Sequence, residues 1–155
     1  MRAVLASLCL GVTMAVAPAA AQIISVPNDD AAMEAAIAKA QASLPVFWDT
    51  IAKPQAGDDR FAVKIKYVTG AKAGEHIWAG DVKRAGANVT ATISNTPRDI
   101  PNLKKGQRVT VPLDRVTDWM FFRNDKIHGA QTLRVLLPRM PPDQAADWKS
   151  KLAPE

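Results

Sequence analysis

A strict alternation of apolar and polar residues in the middle of the chain constrains the fold more than any other feature. In the segment RFAVKIKYV, residues 60–68, the apolar side chains share one face, at Phe61, Val63, Ile65 and Tyr67. Lys64 and Lys66 share the other face, which we expect to be a basic outer surface. A second alternating segment, NVTATISN, covers residues 88–95. Because side chains alternate between the two faces of a strand, this period predicts half-buried β-strands.

A helical period precedes these strands. Apolar residues recur at spacings of three and four, at Met33, Ala36, Ile37, Ala40 and Leu44, which predicts an amphipathic helix facing a core. Asn28, Asp29 or Asp30 can cap that helix through a side-chain oxygen. At Pro45 two interpretations are open. Either Ser43 caps a second helix with Pro45 in its first turn, or a single helix kinks there.

Shorter apolar segments complete the predicted sheet. The segment EHIWAGDVKRAG follows a turn near residues 69–74, and the later strand candidates are RVTVPL, VTDWMFFR and QTLRVLL. Residues 142–152 predict a short terminal helix, with Ala146 and Trp148 as its most buried side chains. This order predicts an α+β fold. The N-terminal amphipathic helix would pack on a curved antiparallel sheet, or a small open barrel, of five to six strands.

The first 21 residues have the composition of a secretory signal peptide. Arg2 gives a short positive region, residues 3–17 carry no charge, and three alanines allow cleavage after Ala21. The apolar run of about 15 residues is shorter than the ~20 of a membrane-spanning helix, so we expect no transmembrane segment after cleavage. The sequence therefore predicts a periplasmic or secreted protein with two parts. These parts are a signal peptide at 1–21 and one domain at 22–155, with its core at about 29–137 and a Pro-rich tail and short helix at 138–155.

Cleavage also removes Cys9, the single cysteine of the chain. The mature protein would then form no disulfide and use no thiol in catalysis, so its stability must come from a hydrophobic core. The sequence has no phosphate-binding loop, dinucleotide fingerprint, nucleophile elbow or zinc-protease motif. We expect no cofactor and no metal site, because the spacing of His76 and His128 gives no support for metal ligation.

The stretch Glu75-His76-Ile77-Trp78 carries the candidate chemistry. His76 titrates near neutral pH and is the candidate general base, with Glu75 or Asp118 orienting it. The competing interpretation is structural, with His76 hydrogen-bonded in place and Trp78 in the core. Asp118 lies in the apolar segment VTDWMFFR, where a buried carboxylate must be paired or must bond backbone N–H groups of a turn.

Four further residues are candidates for binding: Trp78, Asn95, Trp119 and Arg134. Asn95 precedes Thr96-Pro97, which is typical of a turn in which the amide bonds nearby backbone. Arg134 lies within the apolar segment TLRVLL and needs a carboxylate partner if buried, for which Asp118 or Glu75 would serve. Pairing of this kind would make Arg134 mainly architectural. In the enzyme alternative the same guanidinium holds an anionic substrate.

The positive charge of the chain, +5 overall, is unevenly distributed. Residues 22–97 hold eight basic and eight acidic side chains, whereas residues 98–155 hold eleven basic and seven acidic ones. This excess suits an acidic envelope protein or another anionic ligand, although a solvated surface explains most of the charges. Nucleic acid is a poor fit, since the protein is expected to be exported and shows no aromatic–basic reading motif.

The chain resembles the YegJ-like bacterial family of unknown function. Six segments carry the resemblance, in this order: DDAAMEAAIAKAQASLPVFW, FAVKIKY, EHIWAGDV, ISNTP, GQRVTVPLDRVTDWMFF and GAQTLRVLL. The resemblance brings no established activity with it. It implies that the family pattern in this chain consists of Glu75, His76, Trp78, Asn95, Pro97, Asp118, Trp119 and Arg134.

The leading functional hypothesis is an exported, non-enzymatic binding or protein-interaction module of the cell envelope. One alternative is a small enzyme with hydrolase-like acid–base chemistry centred on His76, and another is an electrostatic binder of an anionic envelope polymer. Convergence of the polar candidates in one concave pocket would favour the enzyme. Their dispersal into separate internal hydrogen bonds would favour the binding module.

Overall fold

The computed structural model describes residues 30–68 and 74–155. The predicted signal peptide, the caps at Asn28 and Asp29, and most of the turn near 69–74 lie outside these residues. None of the described helices is both long enough and apolar enough to cross a lipid bilayer.

Two helices open the described part of the chain. Helix α1 spans Ala31–Ala42, and the carboxylate of Asp30 caps it by accepting from the Met33 N–H at 2.9 Å. Helix α2 spans Leu44–Ala52 with Pro45 in its first turn, so the chain forms two helices rather than one kinked helix. Ser43 occupies the cap position, but its hydroxyl donates back to the Lys39 and Ala40 carbonyls instead of capping α2.

Six antiparallel strands form one open sheet in the order β4-β3-β2-β1-β5-β6. Their bounds are β1 Asp58–Val68, β2 Gly74–Ala85, β3 Asn88–Ile93, β4 Arg108–Pro112, β5 Val116–Arg123 and β6 Lys126–Gly129. Helix α3 (Gln131–Leu136) and helix α4 (Pro142–Lys151) follow the sheet. The predicted α+β fold is confirmed in its open-sheet form, with helices before and after the strands.

The segment QTLRVLL was predicted as a strand, and that prediction is wrong: its first six residues form α3. The sixth strand is instead the short β6, which pairs with β5 through a tight turn at Asn124 and Asp125. Both turn residues have positive φ, +48° and +60°, as a two-residue hairpin requires. The carboxylate of Asp118 then accepts the N–H groups of Gln131 and Thr132. These bonds start a helix where the apolar pattern alone suggested a strand.

The main core lies between the two N-terminal helices and one face of the sheet. The rings of Phe47 and Trp48 in α2 pack edge to face, with 4.9 Å between their centres. Trp119 of β5 donates its indole N–H to the Ala40 carbonyl of α1 at 3.0 Å. The buried strand residues of this core are Val63, Ile65, Ile77, Ala79, Val82, Val89, Ala91, Ile93, Val111, Val116, Trp119 and Phe121. The alternation that predicted the strands therefore identified the face that packs on the helices.

A second, smaller cluster of buried residues, Ile127, Ala130 and Leu152, lies at the β6 edge. Leu152 forms a parallel bridge with Ile127, and the Ala153 N–H donates to the Ile127 carbonyl at 2.8 Å. The predicted terminal helix is confirmed as α4. Its Trp148 is half-buried against this cluster, whereas Ala146, predicted to be buried, is exposed.

Candidate functional site

Glu75 and Asn95 fix the loop that follows β3. The Glu75 carboxylate accepts the backbone N–H of Arg98 at 3.0 and 3.1 Å and that of Asp99 at 3.1 Å. The Asn95 side-chain oxygen accepts the Trp78 N–H of β2 at 3.2 Å. Asn95 therefore bonds a neighbouring strand, where the sequence suggested a bond within its own turn. Both polar groups hold the loop against β2 rather than facing an open cavity.

His76 is a half-buried residue of β2 whose imidazole reaches across β1 to the Thr117 hydroxyl of β5. Its Nδ1 lies 2.9 Å from the Thr117 hydroxyl oxygen. Burial, with smaller contributions from the positive charges of Lys64 and Lys66, lowers the pKa of His76 from 6.5 to about 4. The imidazole is therefore neutral at pH 7, and as a general base it is weaker than a free histidine.

Lys64 is the polar residue that the sequence analysis missed. It was assigned to an outer basic surface, but it is half-buried, with its Nζ donating to the Thr132 hydroxyl at 2.7 Å. The same Nζ lies 4.9 Å from the centre of the Trp78 ring. Burial lowers the pKa of Lys64, and the nearby carboxylate of Asp118 opposes that effect. No feature of the alternating sequence distinguishes Lys64 from the exposed Lys66, because the covering element is α3.

Asp118 is 1% exposed and accepts four hydrogen bonds. Its donors are the Trp119 N–H at 2.8 Å, the Gln131 N–H at 3.2 Å, and the Thr132 N–H and hydroxyl at 2.8 and 2.6 Å. The expectation that this carboxylate bonds backbone N–H groups is confirmed, although these groups belong to β5 and to the first turn of α3 and not to a loop turn. Every donor is on β5 or at the start of α3, so Asp118 joins these two elements.

The side chains of Trp119 and Arg134 lie away from Lys64 and from the two residues that its amine contacts, Trp78 and Thr132. The Trp119 side chain is buried against α1 and α2, on the face of the sheet opposite Lys64. Arg134 donates to the Gly129 carbonyl at 3.2 Å and to the Ala153 carbonyl at 2.8 Å. Its carboxylate partner is Glu155 at 3.4 Å, not Asp118 or Glu75 as predicted. The guanidinium therefore ties α3 to the C-terminal segment.

The structure brings only some of the predicted site residues close to one another. Lys64 is in register with Trp78 on one side and with Asp118 on the other, and Lys66 is in register with His76. Within residues 30–68 and 74–155, no group of three His, Cys, Asp or Glu side chains has the geometry to hold a metal ion. The predicted acid–base residues thus take part in separate internal contacts instead of lining one concave site.

An open groove of about 650 Å³ is lined by residues of α2, β1, β2 and β5 and by Ser94. Its apolar side chains are Ile51, Phe61, Ala62, Val82, Met120 and Phe122, and the remaining lining residues are Arg60, Gly80, Asp81, Lys83 and Ser94. We call this surface the groove. Most of the lining side chains are apolar, and the three charged ones, Arg60, Asp81 and Lys83, are exposed, a composition that is usual in a binding cleft.

Two β-bulges on adjacent strands shape the groove. The register of β1 against β5 shifts between Asp59 and Ala62, and that of β2 against β3 shifts between Gly80 and Lys83. Each bulge contains a non-glycine residue with φ of +50°, Arg60 in one and Asp81 in the other. Bulges of this kind bend the strand and redirect side chains, and left-handed non-glycine residues cluster at functional sites. Sequence alternation gives no signal for either bulge.

Arg60 is held at the margin of the groove by ion pairs and stacking. Its Nε lies 2.8 Å from Asp59 and its Nη2 lies 2.7 Å from Asp125. These two carboxylates raise the pKa of Arg60 above its ordinary value. The guanidinium also lies over the Phe122 ring at 3.7 Å. The arrangement fixes the position of one charged side chain beside the apolar lining.

Comparison with known proteins places this chain in a family. The model of DUF2314, described as "Uncharacterized protein conserved in bacteria", matches residues 30–153. The uncharacterized protein YegJ of Escherichia coli strain K12 is 34% identical over 124 residues, which cover 80% of this chain and 79% of YegJ. A putative ankyrin repeat protein of Neisseria meningitidis serogroup B is 29% identical over 73 residues, 47% of this chain and 29% of that protein. No solved structure matches. The chain belongs to the DUF2314 family, which confirms the resemblance to YegJ-like proteins indicated by its sequence.

Proposed function

We propose that this protein is an exported, non-enzymatic interaction domain of the cell envelope, and that it binds a partner protein in the groove. The observation that carries the proposal is the composition of the groove, an open concavity of about 650 Å³ lined by six apolar side chains together with Arg60, Asp81 and Lys83. No predicted acid–base residue lines it. Glu75, Asn95 and Asp118 are instead bonded to backbone N–H groups elsewhere.

The open space beside Gly80 supports this proposal. A Cβ atom at Gly80 would lie 3.7 Å from the Ser94 hydroxyl and 3.9 Å from the Phe61 carbonyl, which are ordinary contact distances. A Cβ atom therefore fits at Gly80 without a close contact, and we expect a longer side chain at this lining position to occupy part of the groove.

The relative from Neisseria meningitidis gives further support. It is described as a putative ankyrin repeat protein, and the matched segment makes up 29% of its length. Repeat proteins of this kind present extended concave surfaces to their partners. A domain that shares a chain with such repeats is well placed for a role in protein interaction.

The test uses Gly80→Leu, which fills the groove, and Ala85→Leu as its matched control. Ala85 lies on the same strand, is exposed and does not line the groove. We expect a partner captured from a periplasmic fraction by the wild-type protein and Ala85→Leu to be lost with Gly80→Leu, at unchanged melting temperature. Equal capture by all three proteins would contradict binding in the groove.

Export is part of the proposal and has its own test. The charge-free segment 3–17 and the alanines before Gln22 support cleavage after Ala21. We expect the protein purified from a periplasmic or culture fraction to begin at Gln22. Recovery of the full chain from the cytoplasm alone would contradict this localisation.

The enzyme alternative is favoured by one observation, the half-buried amine of Lys64 beside His76 on the same face of the sheet. In that alternative the neutral imidazole of His76 accepts a proton from water or substrate. The test compares His76→Gln and Lys64→Met in ester, amide and phosphoester hydrolysis by the purified protein. Turnover that both substitutions abolish, with the fold intact, would favour the enzyme. Absence of turnover in the wild-type protein would favour the binding module.

A further inference from the structure

The edge strand β4 has no neighbouring strand on its outer side within the described residues. Its inner side bonds β3, as shown by the flanking pairs Ile93 N–H to the Gln107 carbonyl and Leu113 N–H to the Ala87 carbonyl. Bonding alternates along an antiparallel strand, so Val109 and Val111 bond β3, while the N–H and C=O groups of Arg108 and Thr110 face outward. This outer edge is a ready template for one more strand.

The same edge carries a concentration of positive charge. Residues 104–112, KKGQRVTVP, contain three basic side chains and no acidic one. Lys104, Lys105 and Arg108 are all exposed, and none of them forms an ion pair with another described residue. This charge is therefore available to a partner and is not neutralised within the fold.

The two faces of β4 differ in polarity. Val111 is buried and Val109 is half-buried at the rim of the main core, whereas Arg108 and Thr110 lie on the opposite, exposed face. The Thr110 hydroxyl lies 3.1 Å from that of Thr90 on this polar face. A strand added to β4 would extend the core with apolar residues on one face and would meet Arg108 with residues on the other.

We propose that the β4 edge binds an extended acidic segment of a partner protein as an added strand, with apolar and acidic residues at alternating positions. The inference goes beyond the groove and does not depend on it. A second copy of this chain is disfavoured at the same edge, since pairing two β4 strands would bring six cations to one seam. Pro112 lacks an N–H and limits the added strand to a short length.

The test uses a fluorescent peptide of seven residues in which Glu and Val alternate. Its fluorescence anisotropy is measured as the protein without residues 1–21 is added. We expect saturable binding that weakens with added salt, because screening reduces the attraction of exposed charges. Thr110→Pro removes one outward N–H, and Arg108→Glu reverses one charge. Each is expected to weaken binding at least tenfold, whereas Lys149→Glu on the exposed face of α4 leaves it unchanged.

Two probes keep the test independent of how the variants fold. The same peptide with an N-methyl group on every backbone amide keeps its charge but cannot donate a backbone hydrogen bond along either edge, and we expect it not to bind. A seven-residue polyglutamate should bind at least tenfold more weakly than the alternating peptide. Equal binding of polyglutamate or of the N-methyl peptide would overturn the proposal in favour of simple attraction to an anionic polymer.

The remaining outcomes are equally decisive. Absence of binding at millimolar peptide would overturn the proposal, as would sedimentation showing that β4 self-associates and excludes the peptide. Gly80→Leu should leave peptide binding unchanged. The groove and the β4 edge can therefore fail separately, since Gly80→Leu reports on the first and Thr110→Pro on the second.

Discussion

The two edges of the sheet end in different ways. At β6 the C-terminal segment covers the outer side, through the Ala153 N–H to the Ile127 carbonyl and the burial of Leu152. At β4 the outer N–H and C=O groups of Arg108 and Thr110 have no strand beside them within the described chain. The first edge is closed by hydrogen bonds and apolar burial. The second carries only exposed charge and a proline, which discourage pairing with an arbitrary strand.

The polar network of the molecule lies on the closed side. Asp118 joins β5 to α3, Lys64 bonds Thr132 of α3, and Arg134 of α3 bonds the Ala153 carbonyl near the chain end. These contacts hold in place the elements that cover β6. On the open side, Glu75 and Asn95 hold the loop that follows β3. The exposed cations of the β4 edge, Lys104, Lys105 and Arg108, form no ion pair with another described residue. We infer that the closed side mainly serves stability and the open side mainly serves recognition.

The largest effect on stability is expected from a substitution of Asp118, on the closed side of the sheet. Asp118→Ala leaves the N–H groups of Trp119, Gln131 and Thr132 without their acceptor in a buried position. We expect the free energy of unfolding to fall by about 3–5 kcal/mol, measured by urea unfolding at pH 7. Asp114→Ala, at an exposed residue of the turn before β5, is the control and should change stability by less than about 0.5 kcal/mol. A loss below about 1 kcal/mol at Asp118 would show that the network is not structural.

A smaller effect is expected from uncovering β6 directly. Leu152 is 8% exposed and packs in the cluster with Ile127. Leu152→Ala should lower the free energy of unfolding by about 2–3 kcal/mol and accelerate amide exchange at Ala153. Lys149→Ala, at an exposed position of α4, should leave both unchanged. If Leu152→Ala behaves like its control, the C-terminal segment does not stabilise the edge.

Sequence periodicity predicted the parts of this fold in which one face is buried. The strands β1 and β3 and the helix α1 follow from apolar spacing, because burial of one face imposes that spacing on the chain. The segment 131–137 was misread for a physical reason. Its apolar residues suit a strand, but a carboxylate thirteen residues earlier caps it as a helix, and no local pattern reports such a contact.

The candidate site was predicted less well, for a related reason. Glu75, His76 and Asn95 were singled out by the sequence as candidate site residues, and in the structure each of them is hydrogen-bonded to another strand or loop. Lys64 was assigned to solvent because alternation identifies a face but not what covers it. The groove depends on two bulges, and a bulge is a shift of register that a single sequence does not encode visibly.

The pH dependence of stability gives a further test of the comparison between the two edges of the sheet. It depends on His76, which lies on the same face of the sheet as Lys64. The pKa of His76 falls from 6.5 to about 4 on folding, so between these values the unfolded chain binds a proton that the folded chain does not. Stability is therefore fully present above pH 6.5 and declines as the pH falls towards 4. Between pH 6.5 and 4.5 we expect the titration of His76 to lower the free energy of unfolding by about 1–2 kcal/mol, after allowance for the partial exposure of the ring.

His76→Gln tests this effect by urea unfolding at several pH values. The substitution should flatten the decline between pH 6.5 and 4.5 by that amount. His128→Gln is the comparison, since burial lowers the pKa of His128 as well and gives a contribution of the same sign. Equal slopes for the wild-type protein and His76→Gln would show that His76 is not desolvated on folding.

The smallest effect on stability is expected at the open edge, where Arg108→Ala should change the free energy of unfolding by less than about 0.5 kcal/mol. The informative measurement there is amide exchange in the unmodified protein. Val109 and Val111 bond β3, so their N–H groups should exchange at least tenfold more slowly than those of Arg108 and Thr110, which face outward. Saturating the edge with the alternating peptide should slow Thr110 and leave Val109 unchanged. Equal protection of all four amides in the free protein would mean that another part of the chain already covers β4, and the contrast between the two edges would then disappear.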